Sequence, residues 1–385
     1  MKKLSGPPTT SRMEPGEVEK VIDALFPQHP MLRVLLPEVV EDEVPLLSTE
    51  EVDAAIERIR GKKGKAPGPN QIPYEVWSTL HEVDSSAQLV KVMNQAMREG
   101  NFPEKWKISN LALTPKPGKP PGKPSSFRPL CLSNTDGKIF ERIVATRLEN
   151  QLGTRRVISG RQYGFRAGIS TADAARKLKR LVSAAHRKNQ LCAAVSLDIK
   201  NAFNSIPWRH VLEMLVEAKV PNYLLRIIRS YLDCRVIEVE TSAGKLRRPV
   251  TCGVPQGSVL AAVLWILSFN GIFKVKLPVG VQCICYADDT LVVCCAESIA
   301  EVKSKMDTAL EALTCWIESV GLSLETAKTE AILFTTRRKL DPITFSLRDV
   351  EVGLSRTLKY LLSRSSVFIH IRVQVHILLT VYFGV

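Results

Sequence analysis

The chain is poor in the residues from which metal and redox sites are usually built. It has six histidines and nine cysteines, an odd number, and no two cysteines form a Cys-x-x-Cys pair. Cys283 and Cys285 are one residue apart and Cys294 and Cys295 are adjacent, so no zinc-ligand spacing appears, and the histidines do not complete one. The cysteines read instead as small, reduced core residues, which points to a reducing compartment. Long apolar runs are missing too. The opening "MKKLSGPPTTSRMEPGE" is basic with no apolar stretch behind it, which speaks against a signal peptide. Near the end, "VFIHIRVQVHILLTVYFGV" is interrupted by His370, Arg372, Gln374 and His376, an alternation that fits a strand better than a membrane span. The resulting expectation is an intracellular setting, cytoplasm or nucleus, with no membrane partner. No internal repeat is visible. Acidic residues are also in deficit, 39 against 53 Lys and Arg, for a net charge of +14. That balance favours a polyanionic partner, nucleic acid first and an anionic membrane surface second, although a basic and otherwise ordinary soluble protein has the same composition.

What is present suffices for a sizeable core: 385 residues, 45% of them hydrophobic, can build two or three packed subdomains. Residues 1–45 are rich in Pro, Glu and Ser and read as a mobile arm with one short helical patch, "EVEKVIDALF". Ser48 with Glu51 then makes a capping box, and Val52, Ile56 and Ile59 form an apolar stripe. Two basic Pro/Gly loops follow. "GKKGKAPGPNQIP" contains Lys65, and "LTPKPGKPPGKPSSFRPLCLSN" carries Lys116, Lys119, Lys123 and Arg128. Prolines hold such loops extended and project the cations outward, which suits a phosphate backbone as well as a solvated linker. In "RQYGFRAGIST", Tyr163 and Phe165 sit among Arg161 and Arg166, a mixture that can stack on bases and bind phosphates, or simply pack with the arginines solvated.

The densest chemistry lies further on. "LCAAVSLDI" is an apolar run of strand length, so Asp198 stands at the C-terminal end of a buried strand. "CICYADDTLVVCC" is a hairpin in which two adjacent aspartates, Asp288 and Asp289, can approach one site only near the turn. The turn lacks the usual glycine or Asn-Gly. Alone, such a pair reads as a solvated tip. Two strand-end carboxylates side by side would repel, however, and a divalent cation with a taste for hard oxygen ligands, Mg²⁺, would relieve them. Two such ions serve phosphoryl transfer to a hydroxyl.

These motifs closely resemble the polymerase core of reverse transcriptases. "YADD" and "LDIKNAF" carry the match, and "KAPGPNQIP", "LTPKPGKP", "SSFRPLCLSNTDGKIFERI", "QYGFRAGISTADA", "GVPQGSVL", "GLSLETAKTEAILF" and "LKYL" narrow it to non-LTR (LINE-type) retrotransposons of arthropod lineages, in that family's order from about Val18 to Leu361. The resemblance implies an α+β, right-hand polymerase fold: a palm of antiparallel sheet with packed helices (191–345), mostly helical fingers with the basic loops (46–190), the start of a primer-grip region (346–361) and a divergent tail (362–385). It implies an RNA-directed DNA polymerase acting on an RNA template, a DNA primer and deoxynucleoside triphosphates. Asp198, Asp288 and Asp289 would be ligands of two Mg²⁺ ions, with Mn²⁺ as substitute, and Lys328 the general acid for pyrophosphate. Phe203 would be the gate against a ribose 2′-hydroxyl, with plain core packing as its other reading. Gln256 and Gly257 would meet the incoming nucleotide, Lys116 and Arg128 its triphosphate, and Lys65, Lys119, Arg161, Arg166 and Lys359 the nucleic acid.

The sequence departs from the family pattern in places. Asn70-Gln71 stands where Asp-Gly is usual, Asn204 where many members have aspartate, Ala261-Ala262 where Gly-Pro is usual, and Ile169 where arginine is common. After "LKYL" the tail resembles nothing in the family, so neither the helical thumb nor the endonuclease is expected in this chain. Two functions stay open on this reading: a polymerase core whole in its active-site residues, and a catalytically inactive remnant that only binds nucleic acid. A viral RNA polymerase, with its usual Gly-Asp-Asp, and a group II intron maturase fit less well.

Overall fold

The computed structural model describes residues 9–30, 44–60, 66–82, 86–116, 118, 123–335 and 342–355, together with three short strands, Lys359–Tyr360, Val367–Ile371 and Leu379–Phe383. The fold is α+β. In chain order the main strands are β1 (Ile108–Pro115), β2 (Phe127–Ser133), β3 (Leu191–Leu197), β4 (Arg235–Thr241), β5 (Gly244–Val250), β6 (Val281–Tyr286), β7 (Asp289–Ala296) and β8 (Glu330–Phe334). They form two four-stranded sheets in two compact units, one of 1–157 with 203–268, the other of 158–202 with 269–385. The units are discontinuous in sequence, unlike the linear segments drawn above. Among the described residues, no helix is long and apolar enough to cross a membrane.

The first unit carries the sheet β2-β1-β4-β5, in which β1 runs antiparallel to β2 and parallel to β4. Burial alternates strictly along β2, with Phe127, Pro129, Cys131 and Ser133 inward, as expected of a sheet with one covered face. The cover comes from an unexpected source. The helix Pro15–Leu25, inside the stretch read as a mobile arm, buries Val18, Val21, Ile22 and Leu25 against Leu111, Leu113, Phe127, Ile237 and Val239. These four residues sit at i, i+3, i+4 and i+7, one helix face; the polar flanks concealed a four-residue apolar stripe. Asn204 takes part in this anchoring. It is buried, and its Nδ2 donates to the Leu25 carbonyl at 3.0 Å, a bond that an aspartate could not make. The capping box at Ser48 and Glu51 is formed, with the Glu51 amide donating to Ser48 Oγ at 3.3 Å and the Ser48 amide to Glu51 Oε2 at 3.2 Å.

The second unit holds the sheet β6-β7-β3-β8, antiparallel throughout. Helix Thr171–Arg187 covers one face, placing Ala174, Leu178 and Val182 against Ala194, Ile284, Leu291, Val293 and Ile332. Helix Ile299–Ser319 packs on the opposite side. It buries Val302, Met306, Leu310 and Leu313, and the Cys294 thiol on β7 reaches the Val302 carbonyl. With both faces covered there is no alternation to see: five consecutive residues of β3, Leu191 to Val195, are buried. That is why this sheet's strands read as continuous apolar runs. Segment 158–190 belongs to this unit because its helix is one of the sheet's two covers. In the tail, Val367–Ile371 and Leu379–Phe383 pair antiparallel, consistent with the alternation read there.

Candidate active site

One end of the second sheet collects the carboxylates. β3 stops at Leu197, which pairs with Thr290, so Asp198 follows at the level of Asp289. β6 and β7 close on the pair Tyr286–Asp289, leaving Ala287-Asp288 as a two-residue turn. The chain beyond Asp198 is held from a second side. The Glu325 amide donates to the Asp198 carbonyl at 2.8 Å and the Lys200 amide to the Ser323 carbonyl at 2.9 Å. The same segment leads into the short helical turn Thr326–Lys328, from which Lys328 Nζ donates to Asp198 Oδ2 at 2.6 Å. Thus Asp198, Asp288, Asp289 and Lys328, four residues scattered over 131 positions, are brought to one sheet end by strand register and one tight turn.

The electrostatics of this end are those of excess negative charge. Asp289 has its pKa pushed up to about 7, first by burial, then by the neighbouring charges of Asp288 and Asp198. Hard carboxylate oxygens that destabilise one another suit a divalent cation in kind. In arrangement the site is not closed around one: among the described residues no three His, Cys, Asp or Glu side chains are grouped so as to hold a metal ion, and Asp198 already bonds the Lys328 ammonium.

The other expected residues fall in two groups. In the first unit, Lys116 and Arg128 stand at the same end of the β1–β2 pair, where Thr114 faces Arg128; Lys116 Nζ donates to the Ser125 carbonyl at 3.0 Å. The Phe203 ring stacks on Trp265 with centroids 5.1 Å apart. Gln256 accepts the Cys131 amide at its carbonyl, 2.9 Å, and Gly257 lies so close to β2 that an added Cβ would be 2.9 Å from the Cys131 oxygen. This turn is fixed by a buried acid that the sequence reading passed over. Glu141 Oε2 accepts from Ser258 Oγ at 2.5 Å and from the Val259 amide at 2.8 Å, and Ser258 Oγ also meets the Tyr231 hydroxyl at 2.7 Å.

In the second unit, Arg161 and Arg166 are half-buried and turned to the protein's own backbone. Arg161 Nη2 donates to the Phe273 carbonyl at 2.9 Å, with its guanidinium 5.0 Å from the Phe273 ring centre, and Arg166 Nη1 donates to the carbonyls of Ser159 and Gln162 at 3.1 and 3.2 Å. Lys65 and Lys119 lie outside the described residues, as does the side chain of Lys359, whose backbone is in a short strand. Between the two arginines sits a second residue that sequence reasoning missed, Gln162. It is fully buried and bonded to the aspartate turn itself. A lone buried glutamine leaves no periodic trace, and "RQYGFR" drew attention to its charges.

The family model described as reverse transcriptase (RNA-dependent DNA polymerase) matches residues 114–361. The probable RNA-directed DNA polymerase from transposon X-element of Drosophila melanogaster is 26% identical over 85% of this chain and 36% of its own length. The Pol polyprotein from type-1 retrotransposable element R1 of Bradysia coprophila is 30% identical over 75% of this chain and 28% of its own length. The chain therefore spans about a third of the curated relatives it matches. Among solved structures, apo telomerase from Candida tropicalis truncated from its C-terminal domain reaches a TM-score of 0.50 at 15% identity, over 81% of this chain and 61% of that one, a likeness of fold alone. With well over half of its residues matched by the family model, and with arthropod mobile elements among its relatives, the chain belongs to the reverse transcriptase family and is closely related to the non-LTR retrotransposon enzymes.

Proposed function

We propose that this chain is the RNA-directed DNA polymerase core of a non-LTR retrotransposon, extending a DNA primer on an RNA template. The observation that supports it best is the sheet end where Asp198, Asp288 and Asp289 meet. On this reading the second unit is the palm. Asp198, Asp288 and Asp289 would hold Mg²⁺, or Mn²⁺ in its place, which when bound lowers the pKa of the primer 3′-hydroxyl and neutralises the pyrophosphate that leaves. The residues of the chain do the rest. The three carboxylates orient the reacting groups, and Lys328 keeps a proton on Nζ for the departing oxygen. Phe203, braced flat against Trp265, presents a ring that a ribose 2′-hydroxyl would meet, so deoxynucleotides are preferred. Lys116 and Arg128 offer the triphosphate two cations from one strand end. Gln256 and Gly257, on a turn anchored by Glu141, shape the nucleotide's seat.

The test is primer extension by purified protein with an RNA template, a DNA primer, dNTPs and Mg²⁺. Extension of at least a few bases is expected, falling at least about a thousandfold in Asp288→Asn because a ligand of the reacting groups is lost. Extension no better than that of the variant, at every Mg²⁺ and Mn²⁺ concentration, would reject the polymerase reading.

A second reading, a remnant that binds nucleic acid without extending it, is favoured by one observation: the Asp198 carboxylate is engaged by Lys328 rather than grouped for a metal. Under both readings RNA binding is expected to weaken steeply with salt, with a log–log slope of about −0.7 per phosphate contact, because the contacts are ionic. Salt-sensitive binding without extension would decide for the remnant.

A further inference from the structure

The turn that carries the aspartates is strained and is held from outside its hairpin. Ala287 has φ of +59°, the left-handed region, which costs a residue with a Cβ about 1–2 kcal/mol. The sequence offers no glycine or asparagine there to lower that cost. Yet Ala287 is buried, and its backbone is bonded on both sides by one side chain. Its amide donates to Gln162 Oε1 at 3.0 Å, and its carbonyl accepts from Gln162 Nε2 at 3.3 Å. A primary amide carries a donor and an acceptor at the spacing of a peptide group, so at Ala287, just past the end of β6, Gln162 stands in for a neighbouring strand.

The clamp is itself fixed. Gln162 Oε1 also accepts the Gly164 amide at 2.9 Å, which locks the side chain against its own backbone. Residues 161–163 lie along β6: the Cys285 amide donates to the Arg161 carbonyl at 2.9 Å, and the Tyr163 amide to the Cys285 carbonyl at 2.8 Å. Gly164 permits the approach, because a Cβ there would fall 2.1 Å from the Ala287 nitrogen. A segment more than a hundred residues upstream thus dictates the backbone direction at the residue immediately before Asp288.

We propose that Gln162 is a positioning residue for the aspartate pair: by bonding both peptide groups of Ala287 it sets where Asp288 and Asp289 point, without touching substrate. Its consequence for catalysis rests on the polymerase reading above; the clamp itself does not. The test therefore has two arms. In the first, hydrogen exchange at the Ala287 amide is compared in wild type, Gln162→Leu and Gln162→Glu. Loss of the acceptor in Gln162→Leu is expected to speed exchange at least about tenfold at this amide while amides in the middle of β3 and β7 keep their rates. Gln162→Glu retains the acceptor and loses the donor, so it should fall between the two. In the second arm, primer extension by Gln162→Leu should lose about 10- to 100-fold in kcat with KM for dNTP within about threefold, as expected of misplaced rather than missing catalytic groups. If Gln162→Leu fails to fold, the Gln162→Glu protein supplies both readings. Unchanged exchange at Ala287, or acceleration spread evenly over the whole sheet, would overturn the proposal. So would a kcat that falls only in proportion to the folded fraction. If wild type does not extend primers at all, the polymerase reading fails and the exchange arm alone decides the clamp.

Discussion

The β4–β5 and β6–β7 hairpins both close through two residues, Ser242-Ala243 in one and Ala287-Asp288 in the other, but they close by different means. The first is self-sufficient. Thr241 Oγ1 accepts the Ala243 amide at 3.3 Å and donates to the Gly244 carbonyl at 2.7 Å, and Gly244 takes the positive φ of +113°. Its β5 arm is solvated along most of its length, with Arg247 across from Glu238 and Lys245 across from Glu240. The second relies less on its neighbours: the Thr290 hydroxyl donates to the Asp288 carbonyl at a long 3.5 Å. Its positive φ falls on alanine, its arms are buried, and its turn is bonded by a side chain from another segment. A turn chosen for its own geometry carries its signature in neighbouring residues. A turn chosen for two carboxylates must be stabilised from elsewhere.

That contrast extends to the sheets behind the turns, and it can be broken there with the largest effect. Leu291 on β7 is fully buried under helix Thr171–Arg187, whereas Leu246 on β5 is only partly buried. Leu291→Ala is expected to cost about 3 kcal/mol, and Leu246→Ala about 1 kcal/mol, because the first leaves a cavity that neighbours on two sides cannot fill. Urea titration followed by amide exchange within each unit measures both. Equal losses would mean that the double cover of the second sheet gives no extra rigidity to the strands that present the aspartates.

Much of this was legible in the sequence, and the parts that were not have physical reasons. Asp198 at a strand end and the hairpin that carries Asp288 and Asp289 follow from apolar runs and their stops, which are local signals. The helix Pro15–Leu25 was visible as a patch, but its place in the core was not: its apolar face is complete only against Leu113 and Ile237, far along the chain. Gln162 and Glu141 were invisible for a different reason. Each is a buried polar residue whose partners, Ala287 and Val259, are more than a hundred positions away, and no spacing rule connects them. For Arg161 and Arg166 the sequence showed the charge but not the backbone carbonyls to which both guanidiniums bond.

A smaller effect sharpens the comparison at the turns themselves. The two hairpins place alanine and glycine oppositely: Ala287 bears a positive φ with no glycine, and Gly244 bears one as glycine. Gly244→Ala should destabilise the first hairpin by about 1 kcal/mol, since a Cβ opposes that backbone conformation. Ala287→Gly should do the reverse. Relief of the left-handed strain, about 1 kcal/mol, is offset by roughly half through the greater freedom of glycine in the unfolded chain, leaving about 0.5 kcal/mol of net stabilisation. Stability and function should then part company, because a glycine at 287 frees the backbone that aims Asp288; melting temperature rises slightly while kcat falls by about threefold. A glycine that left kcat unchanged would mean that the clamp alone fixes the tip, and that the alanine's restricted backbone contributes nothing to the aim of the aspartates.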